Sequence, residues 1–250
     1  MQLAIKMNRP VNFLNLRFKG LVKEEILKES SYLKHVITVN ADFIVEAQRN
    51  SKFRYLINNN YSTFDGQVPL TLARKKNPDI YIEKISGSDF IYDICLRAQQ
   101  SNKRVFLLGG SISSNAKSVE KLKHLYNIQI EGFSPPYSQY PFPESLNNII
   151  LEKIKDFKPH YLLVGFGMIK QEYWIEEHKH FLEENNVKLA IGVGGTFSFV
   201  SENVKRAPKL VQDIGLEWMF RILQEPRRLF KRYLISNTSF IWYYLKSLSQ

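Results

Sequence analysis

The chain has 250 residues, and its 44% hydrophobic content is enough to bury a full core in one large domain or two smaller lobes. This composition excludes a largely disordered chain. The formal net charge of +11 favours an anionic partner, which leaves a nucleic acid, an anionic membrane and a phosphorylated substrate open.

Cysteine usage and the terminal sequence bear on the compartment. The only cysteine, Cys95, lies in the apolar run FIYDICL, which predicts a buried thiol and fits a reducing cytoplasm. The N-terminal stretch MQLAIKMNRPVNFLNLRFKG lacks the sustained apolar run of a signal peptide, and no uncharged apolar run is long enough to span a bilayer. If the protein meets a membrane, we expect it to lie on the surface.

The first recognisable elements lie between residues 35 and 69. HVITVNADFIVEAQRN predicts a strand, a turn and a helix, with Asn40 or Asp42 as the helix cap. Asp65-Gly66 stands between a short extended piece and the next helix. An Asp-Gly pair is ordinarily a turn former, so the pair alone does not establish a site.

Three later segments share one pattern: a short apolar run, a glycine turn and a polar helical stretch. They are Arg104–Ser111, His160–Gly167 and Lys188–Gly195, and the helical stretches are Ala116–Tyr126, Leu146–Phe157 and Gln171–Glu184. Continuous apolar runs are typical of strands buried on both faces, so the pattern predicts an α/β fold with a Rossmann-like, mainly parallel sheet flanked by helices. Proline-rich residues 132–143 predict a long loop, either a mobile lid or a passive excursion.

The glycine turns are candidate binding elements. In open α/β sheets the ligand lies beyond the carboxyl ends of the strands, where glycine turns and helix N-termini meet. None of the turns has a dinucleotide or Walker signature, so plain tight connections remain the alternative to phosphate binding. The candidate residues are Gly109, Gly110, Gly167, Gly194 and Gly195.

The remaining side chains indicate group transfer. The histidines have no ligand-spaced partners, since His178 and His180 cannot share a helix face, and no nucleophile elbow is present. A carboxylate, amides and cations suit proton abstraction from an alcohol and stabilisation of a departing phosphate. Gln171 either satisfies a helix N-terminus together with Glu172 or hydrogen-bonds a sugar or nucleotide.

The C-terminal region is basic and amphipathic. From Lys205 onward there are nine Lys or Arg residues and three Asp or Glu residues, interleaved with tryptophan, phenylalanine and leucine. We expect residues 1–200 to form the body, with residues 201–250 as a helical appendage that binds an anionic membrane. Packing of this helix on the protein's own core or on another subunit is the alternative. On a helical wheel one face collects Phe230, Tyr233, Leu234, Phe240, Ile241, Tyr244, Leu245 and Leu248.

From about Val36 to Tyr233 the sequence resembles the WecG/TagA/CpsF family of bacterial glycosyltransferases. The resemblance rests on the order of the short matching motifs and on the last group of motifs, between Val204 and Leu229. The matching residues are Thr38-Val-Asn40-Ala, Asp65-Gly66, Ser86-Gly-Ser-Asp89, Phe106-Leu-Leu-Gly-Gly110, Val164-Gly-Phe-Gly167, Lys170-Gln-Glu-Tyr-Trp174, Gly192-Val-Gly-Gly195, Val204-Lys-Arg-Ala-Pro208, Gly215-Leu-Glu-Trp218 and Glu225-Pro-Arg-Arg-Leu229.

The resemblance implies a GT-E-type fold and an inverting, metal-independent transfer that uses no cofactor. A hexose (N-acetylmannosamine, its uronic acid or a related sugar) would move from a UDP-sugar to a polyprenyl-diphosphate-linked saccharide on the cytoplasmic face of the membrane. Asp65 matches the family's catalytic base, with Thr38 and Asn40 near it, and Gln171 matches a pocket glutamine. The residues expected to meet the diphosphate groups are Arg206, Arg221, Arg227 and Arg228.

Three positions depart from the family pattern and leave the donor sugar open. Lys84 stands where relatives commonly have arginine, which keeps the charge of this expected substrate contact but loses bidentate geometry. Ile169 stands where relatives often have proline, and Ser198 where they often have aspartate.

Two other function classes remain to be weighed. A nucleotide-dependent oxidoreductase lacks support, because Lys170 replaces the third glycine of the dinucleotide pattern. A non-enzymatic lipid- or nucleic-acid-binding module fits the charge, but the cations cluster with tryptophan and leucine and do not suggest a nucleic-acid platform. We therefore expect no nucleic-acid partner, and self-association into a homo-oligomer stays open.

Overall fold

The computed structural model describes the backbone of residues 9–249, and of these it leaves aside the side chains of Arg228, Lys231, Arg232 and Tyr233. The strands are β1 (Val11–Phe13), β2 (Leu16–Phe18), β3 (Lys34–Val39), β4 (Tyr61–Phe64), β5 (Val105–Gly109), β6 (Ile130–Phe133), β7 (Tyr161–Gly165) and β8 (Leu189–Gly192). The helices are α1 (Lys23–Leu27), α2 (Ala41–Arg49), α3 (Ser51–Asn59), α4 (Gln67–Lys76), α5 (Gly87–Ser101), α6 (Ile112–Tyr126), α7 (Glu144–Phe157), α8 (Lys170–Glu177), α9 (Lys179–Glu184), α10 (Thr196–Val200), α11 (Lys209–Asp213), α12 (Glu217–Gln224) and α13 (Pro226–Lys246).

The strands confirm the predicted α/β architecture. β1 and β2 form an antiparallel pair, and the other six strands form one sheet in the order β4-β3-β8-β7-β5-β6. β5 to β8 run parallel, with Val105 opposite Tyr161 and Tyr161 opposite Leu189. Every residue of β5 and β8 is buried, because helices cover both faces, and this explains their uninterrupted apolar sequences.

The chain divides into two compact units. The first comprises residues up to 25, residues 37–86 and residues from 205 onward, and the second comprises residues 26–36 and 87–204. This grouping reflects internal packing and does not identify the segment that binds a membrane. The expected division between a body of residues 1–200 and an appendage of residues 201–250 stays a prediction.

Aromatic packing and helix caps organise the first unit. The Phe18 and Phe64 rings stack with centroids 3.8 Å apart, and Phe13 meets Phe64 edge-on at 6.1 Å. Asn40 caps α2, since its side chain accepts a hydrogen bond of 3.2 Å from the Phe43 amide. Of the two caps considered from the sequence, Asn40 is therefore the one used.

The second unit contains the predicted crossover helices with one difference. α6 and α7 cover the predicted stretches, and Cys95 is buried on α5. The predicted helix Gln171–Glu184 is instead two helices, α8 and α9, interrupted at His178. The His178 ring donates from Nδ1 to the Trp174 carbonyl at 2.8 Å, and a backbone φ of −103° at His178 departs from regular helix geometry.

The loop that precedes α7 is packed through aromatic rings. Phe142 meets Phe166 edge-on at 5.0 Å, and Phe166 meets Trp174 at 5.7 Å. The Tyr140 hydroxyl donates to the Glu177 carboxylate on α8. These contacts attach the loop to the turn that follows β7, and its action as a lid stays a prediction.

The final helix uses part of its apolar face for packing within the first unit. Leu229 and Phe240 are 1% and 2% exposed, and the Tyr244 ring lies 6.3 Å from Phe13. The predicted face spans about 140° of the wheel at 100° per residue, so only one arc reaches the core. The adjacent arc is more than half exposed and comprises Phe230, Leu234, Ile241, Leu245 and Leu248. Tyr233 belongs to the same predicted face, but its side chain lies outside the described residues.

Within residues 9–249, no helix combines the length and the apolar character needed to cross a membrane.

Two phenylalanines of α13 allow a matched test of this packing. We expect Phe240→Ala to lower the free energy of unfolding by about 3–5 kcal/mol, because it removes a fully buried ring. Phe230→Ala, on the exposed arc of the same helix, is expected to change it by less than about 0.5 kcal/mol. Urea unfolding measures both values, and equal effects would contradict the assigned packing.

Candidate functional site

Asp65 lies at the junction of β4 and α4, as the sequence predicts. Its backbone N–H donates to the Val39 carbonyl at 3.0 Å, and its side chain is partly exposed. Asn40 follows Val39 directly, so the carboxyl ends of β3 and β4 bring Asp65 and Asn40 together. This is the edge of an α/β sheet at which ligands bind.

Thr38 and Lys84 belong to the same region of the first unit. Thr38 is a buried residue of β3, at 5% exposure. Lys84 forms a parallel bridge with Phe64, the residue before Asp65, and the next amide, Ile85 N–H, donates to the Phe64 carbonyl at 2.9 Å. The roles expected for Thr38, Asn40, Asp65 and Lys84 stay predictions.

A turn from the C-terminal region contacts the first turn of α4. Gly215 has φ +79°, and a Cβ there would stand 3.4 Å from Val68 Cγ2 and 3.5 Å from Gln67 Cβ. The segment between α11 and α12 therefore contacts Gln67, which is only two residues after Asp65 in the sequence. Only packing reveals this neighbour, since nothing in the sequence links Gly215 to residues 67 and 68.

Two of the expected diphosphate-binding arginines lie along this C-terminal segment. Arg206 Nε lies 3.8 Å from the Glu217 carboxylate, and Arg221 is one helical turn after Glu217 on α12. The Gln224 side chain accepts from Lys205 N–H at 3.2 Å and donates to the Lys205 carbonyl at 2.9 Å. These bonds hold the segment around Arg206 against α12.

The other two arginines begin α13. Arg227 is exposed in its first turn, and the Arg228 side chain lies outside the described residues. Arg206, Arg221 and Arg227 belong to the same unit as Asp65. Their contact with a diphosphate stays a prediction.

The glycine turns of the second unit pack closely on one another. Gly110 N–H donates to the Gly165 carbonyl at 3.1 Å, and a Cβ on Gly165 would stand 2.9 Å from the Phe197 ring and 3.0 Å from the Gly194 carbonyl. The turns after β5, β7 and β8 therefore meet at one edge. Gly109 and Gly110 have φ values of +94° and +72°, which favour glycine.

Asn115 fixes the first of these turns and was not anticipated from the sequence. Its Nδ2 donates to the Leu107 and Gly109 carbonyls at 2.9 and 2.8 Å. A Cβ on Gly132 would approach Asn115 Oδ1 to 2.0 Å, so the glycine leaves room for this side chain. A lone Asn inside a helix carries no sequence signal for such a role.

Gln171 joins two glycine turns. Its Oε1 accepts from Gly167 N–H at 3.2 Å and from Gly194 N–H at 3.1 Å, and its Nε2 donates to Glu172 Oε1 at 2.7 Å. Gln171 is only 2% exposed. A Cβ on Gly192 would stand 2.5 Å from both side chains, so only glycine fits there.

This bonding limits how the turns meet a ligand. The N–H groups of Gly110, Gly167 and Gly194 donate within the protein and are not directed to a phosphate. Apart from their chain neighbours, none of the described residues has an atom within 4 Å of the Cβ positions of Gly167 and Gly194, so there is open space beside their Cα atoms. Gly195 lies directly before α10. Substrate binding by these glycines and by Gln171 stays a prediction.

Ile169 adopts a backbone conformation that proline cannot adopt. Its φ is +73°, a strained region for a β-branched residue, and its N–H donates to Glu172 Oε2 at 2.6 Å. Proline has a fixed negative φ and no N–H. Isoleucine in place of the family's proline at position 169 therefore has a structural explanation. Ile169 has an N–H group that donates to Glu172, and proline has none.

The Glu172 carboxyl group is fully enclosed. Burial raises its pKa to about 7, against the opposing effects of the hydrogen bonds from Gln171 and Ile169. The folded protein therefore retains a proton on Glu172 at pH values where the unfolded chain has lost it. The resulting stability is fully present below the ordinary pKa of 4.5 and is lost as the pH rises through 7.

Replacing Glu172 tests this titration. We compare the free energy of unfolding of the wild type with that of Glu172→Gln at each pH. The wild-type value is expected to fall by up to about 3 kcal/mol relative to the variant as the pH rises from 4.5 to 8. Urea unfolding across this range measures the difference, and Glu152→Gln on the exposed face of α7 is the control. Parallel pH profiles for wild type and Glu172→Gln would show that the buried carboxyl group does not titrate there.

A comparison with known protein families gives a match over nearly the whole chain. The family model described as "Glycosyl transferase WecG/TagA/CpsF family" matches residues 10–250. The match includes the Asp65 junction, the glycine turns with Gln171 and the C-terminal helices. Members of this family are glycosyltransferases of cell-surface polysaccharide synthesis. Because the match covers nearly the whole chain, the protein belongs to the WecG/TagA/CpsF family of glycosyltransferases.

Proposed function

We propose that the protein transfers a hexose from a UDP-sugar to a polyprenyl-diphosphate-linked saccharide, with inversion at the anomeric carbon and Asp65 as the general base. The sugar is N-acetylmannosamine, its uronic acid or a related hexose. Family membership supports the glycosyltransferase class over the oxidoreductase and the non-enzymatic binding module.

The observation that carries the proposal is the environment of Asp65. The carboxylate follows a buried strand, its backbone is fixed to Val39, and it is partly exposed. Asn40 lies beside it, and the turn at Gly215 packs on the helix that Asp65 precedes. A partly exposed carboxylate on a fixed backbone beside polar groups is suited to general-base catalysis.

The reaction balances with one proton acceptor. As the acceptor hydroxyl attacks the anomeric carbon, Asp65 takes its proton, the new glycosidic bond forms and the bond to the diphosphate oxygen breaks. UDP leaves with the electron pair from the opposite face, which inverts the anomeric configuration. A lone base suffices, because UDP is already a good leaving group when its charge is stabilised.

Arginines are proposed to stabilise the diphosphate charge. Among the described residues, no group of three or more His, Cys, Asp or Glu side chains is arranged to hold an ion. Arg206 contacts Glu217, Arg221 lies on α12, and Arg227 is exposed, which supports this role. Bidentate guanidinium contacts are well suited to diphosphate oxygens.

The C-terminal region is proposed to place the enzyme on the inner face of the cell membrane. Its exposed apolar side chains adjoin cations such as Lys209 and Arg227, a composition suited to an anionic interface. The exposed arc of α13 faces solvent, where lipid headgroups or a second copy of the chain would cover it. The exposed residues are Leu210, Ile214, Met219, Leu223, Phe230, Leu234, Ile235, Ile241, Trp242, Leu245 and Leu248.

Activity with defined substrates tests the catalytic role. We expect UDP release only when a UDP-sugar and a short-chain polyprenyl-diphosphate saccharide are both present, with the extended acceptor detected by mass. Asp65→Asn should lower kcat by about 10²–10⁴-fold, because the amide cannot accept the proton. Asp156→Asn, at an exposed position on α7, is the matched control. Turnover by Asp65→Asn within threefold of wild type would refute the base assignment.

Vesicle binding tests the membrane surface. The triple variant Leu234→Ser, Ile241→Ser and Leu245→Ser should bind anionic phospholipid vesicles at least about tenfold more weakly, since it removes exposed apolar groups. The control triple variant replaces Leu96, Ile112 and Leu125, which are exposed elsewhere, with serine. Equal vesicle binding by both variants would contradict the assignment. Loss of self-association in the first variant alone would show that a second copy covers the surface.

A further inference from the structure

A cavity of about 180 Å³ lies at the amino-terminal ends of β5, β7 and β8, within the second unit. The glycine turns follow the carboxyl ends of these strands, so the cavity is about 15 Å away from them at 3.3 Å per residue. It is therefore separate from the glycine edge considered above. The walls are formed by residues 26–30 and by Lys103, His160, Tyr161, Asn186, Lys188 and Leu189.

The lining is cationic. Lys28, Lys103 and Lys188 contribute three positive charges, and Glu29 is the single acidic residue among the lining side chains. Arg104 follows the wall residue Lys103, and its positive charge lowers the pKa of the lining residue His160. Positive charge concentrated around a concave surface attracts anions.

A buried lysine holds one wall in place. Lys34 is 5% exposed, and its Nζ donates to the Ile26 carbonyl at 3.1 Å and to the Lys28 carbonyl at 2.7 Å. On the opposite side, Lys188 Nζ donates to the Ser31 carbonyl at 3.4 Å. The segment that carries Lys28 and Ser30 is therefore fixed to the strand ends, so the cavity is formed before any ligand binds.

His160 reports the local charge. Its Nδ1 accepts the Arg104 backbone N–H at 3.2 Å, and its Nε2 lies 3.2 Å from Nδ2 of the Asn186 side chain. Burial lowers the pKa of His160, and the positive charges of Lys103, Arg104 and Lys188 lower it further. An anion bound among these cations would offset their effect and favour the charged imidazolium.

The size of the cavity limits the ligand. A volume of about 180 Å³ has room for a small ligand and suits one or two phosphoryl groups. It is smaller than the roughly 300–1,000 Å³ of pockets for larger organic ligands, which favours a small anion over a complete sugar nucleotide.

We propose that this cavity is a second anion site, which binds the phosphoryl groups of a small phosphate or diphosphate compound through Lys28, Lys103 and Lys188. The ammonium groups supply charge-assisted hydrogen bonds, and the Ser30 hydroxyl supplies a neutral donor. The site does not depend on the catalytic role of Asp65, and its test uses no activity measurement.

Histidine NMR at constant ionic strength tests binding directly. Inorganic diphosphate, inorganic phosphate and glycerol phosphate are titrated separately into the full-length protein, with His160 assigned from the His160→Gln spectrum. We expect diphosphate to raise the His160 pKa and shift its resonances, while the exposed His124 and His180 are unchanged. A response to glycerol phosphate as well would identify a phosphate ester as a ligand class, and a response to inorganic ions alone would restrict the site to free phosphates.

Charge-matched variants distinguish a site from general attraction. Lys103→Gln combined with Lys188→Gln should weaken diphosphate binding at least about tenfold. Lys123→Gln combined with Lys155→Gln removes the same net charge from exposed helical positions and should leave the affinity unchanged. Equal losses of diphosphate affinity in the two double variants would overturn the proposal. Unchanged His160 resonances up to 10 mM diphosphate, a concentration at about the weak limit of useful affinity, would do the same.

Discussion

The arrangement of the second unit depends on the buried amide of Gln171. One oxygen accepts N–H groups from the turns at Gly167 and Gly194, which follow neighbouring strands. Two donors that would otherwise be unpaired at the sheet edge are thereby satisfied, and the turns are held at a fixed separation. The close approach requires glycine at position 192, where any Cβ would collide with the Gln171 amide.

Glu172 extends this arrangement to the start of α8. Its two oxygens accept from Gln171 Nε2 and from the Ile169 N–H, so a buried carboxyl group aligns both the amide and the strained turn. Such strain persists only where surrounding contacts fix it, and it commonly occurs near functional sites. The turn after β7 is thus positioned by side chains of the helix that it introduces.

The first unit joins the proposed base to the C-terminal helices that are proposed to bind the membrane. The Asp65 amide is bonded to Val39, while the turn at Gly215 packs on the start of α4. Phe240 and Leu229 pack α13 into the same unit, so the C-terminal helices are attached to the scaffold that carries Asp65. An enzyme whose acceptor is held at a bilayer would benefit from this connection, because the proposed membrane surface and the proposed base share one folded unit.

Much of the fold follows from local sequence. Uninterrupted apolar runs identify β5, β7 and β8, because strands covered on both faces need no polar alternation. The Asn40 cap and the glycine turns are also local features, since their geometry depends on a few adjacent residues. The family is identified from short motifs in a fixed order, and each motif is a run of adjacent residues. The position of Asp65 at a turn between a strand and a helix is likewise predicted from neighbouring residues.

Other features required the tertiary structure. The sequence identified Gln171 as either a helix-terminal or a ligand-binding residue, and only packing shows that its amide bonds to Gly167 and Gly194. Likewise, the wheel found one wide apolar face on α13, but contact with the core separates its buried arc from its exposed one. Sequence patterns determine local conformation and polarity, whereas the partner of a side chain depends on which distant residues the fold brings within hydrogen-bonding or van der Waals distance.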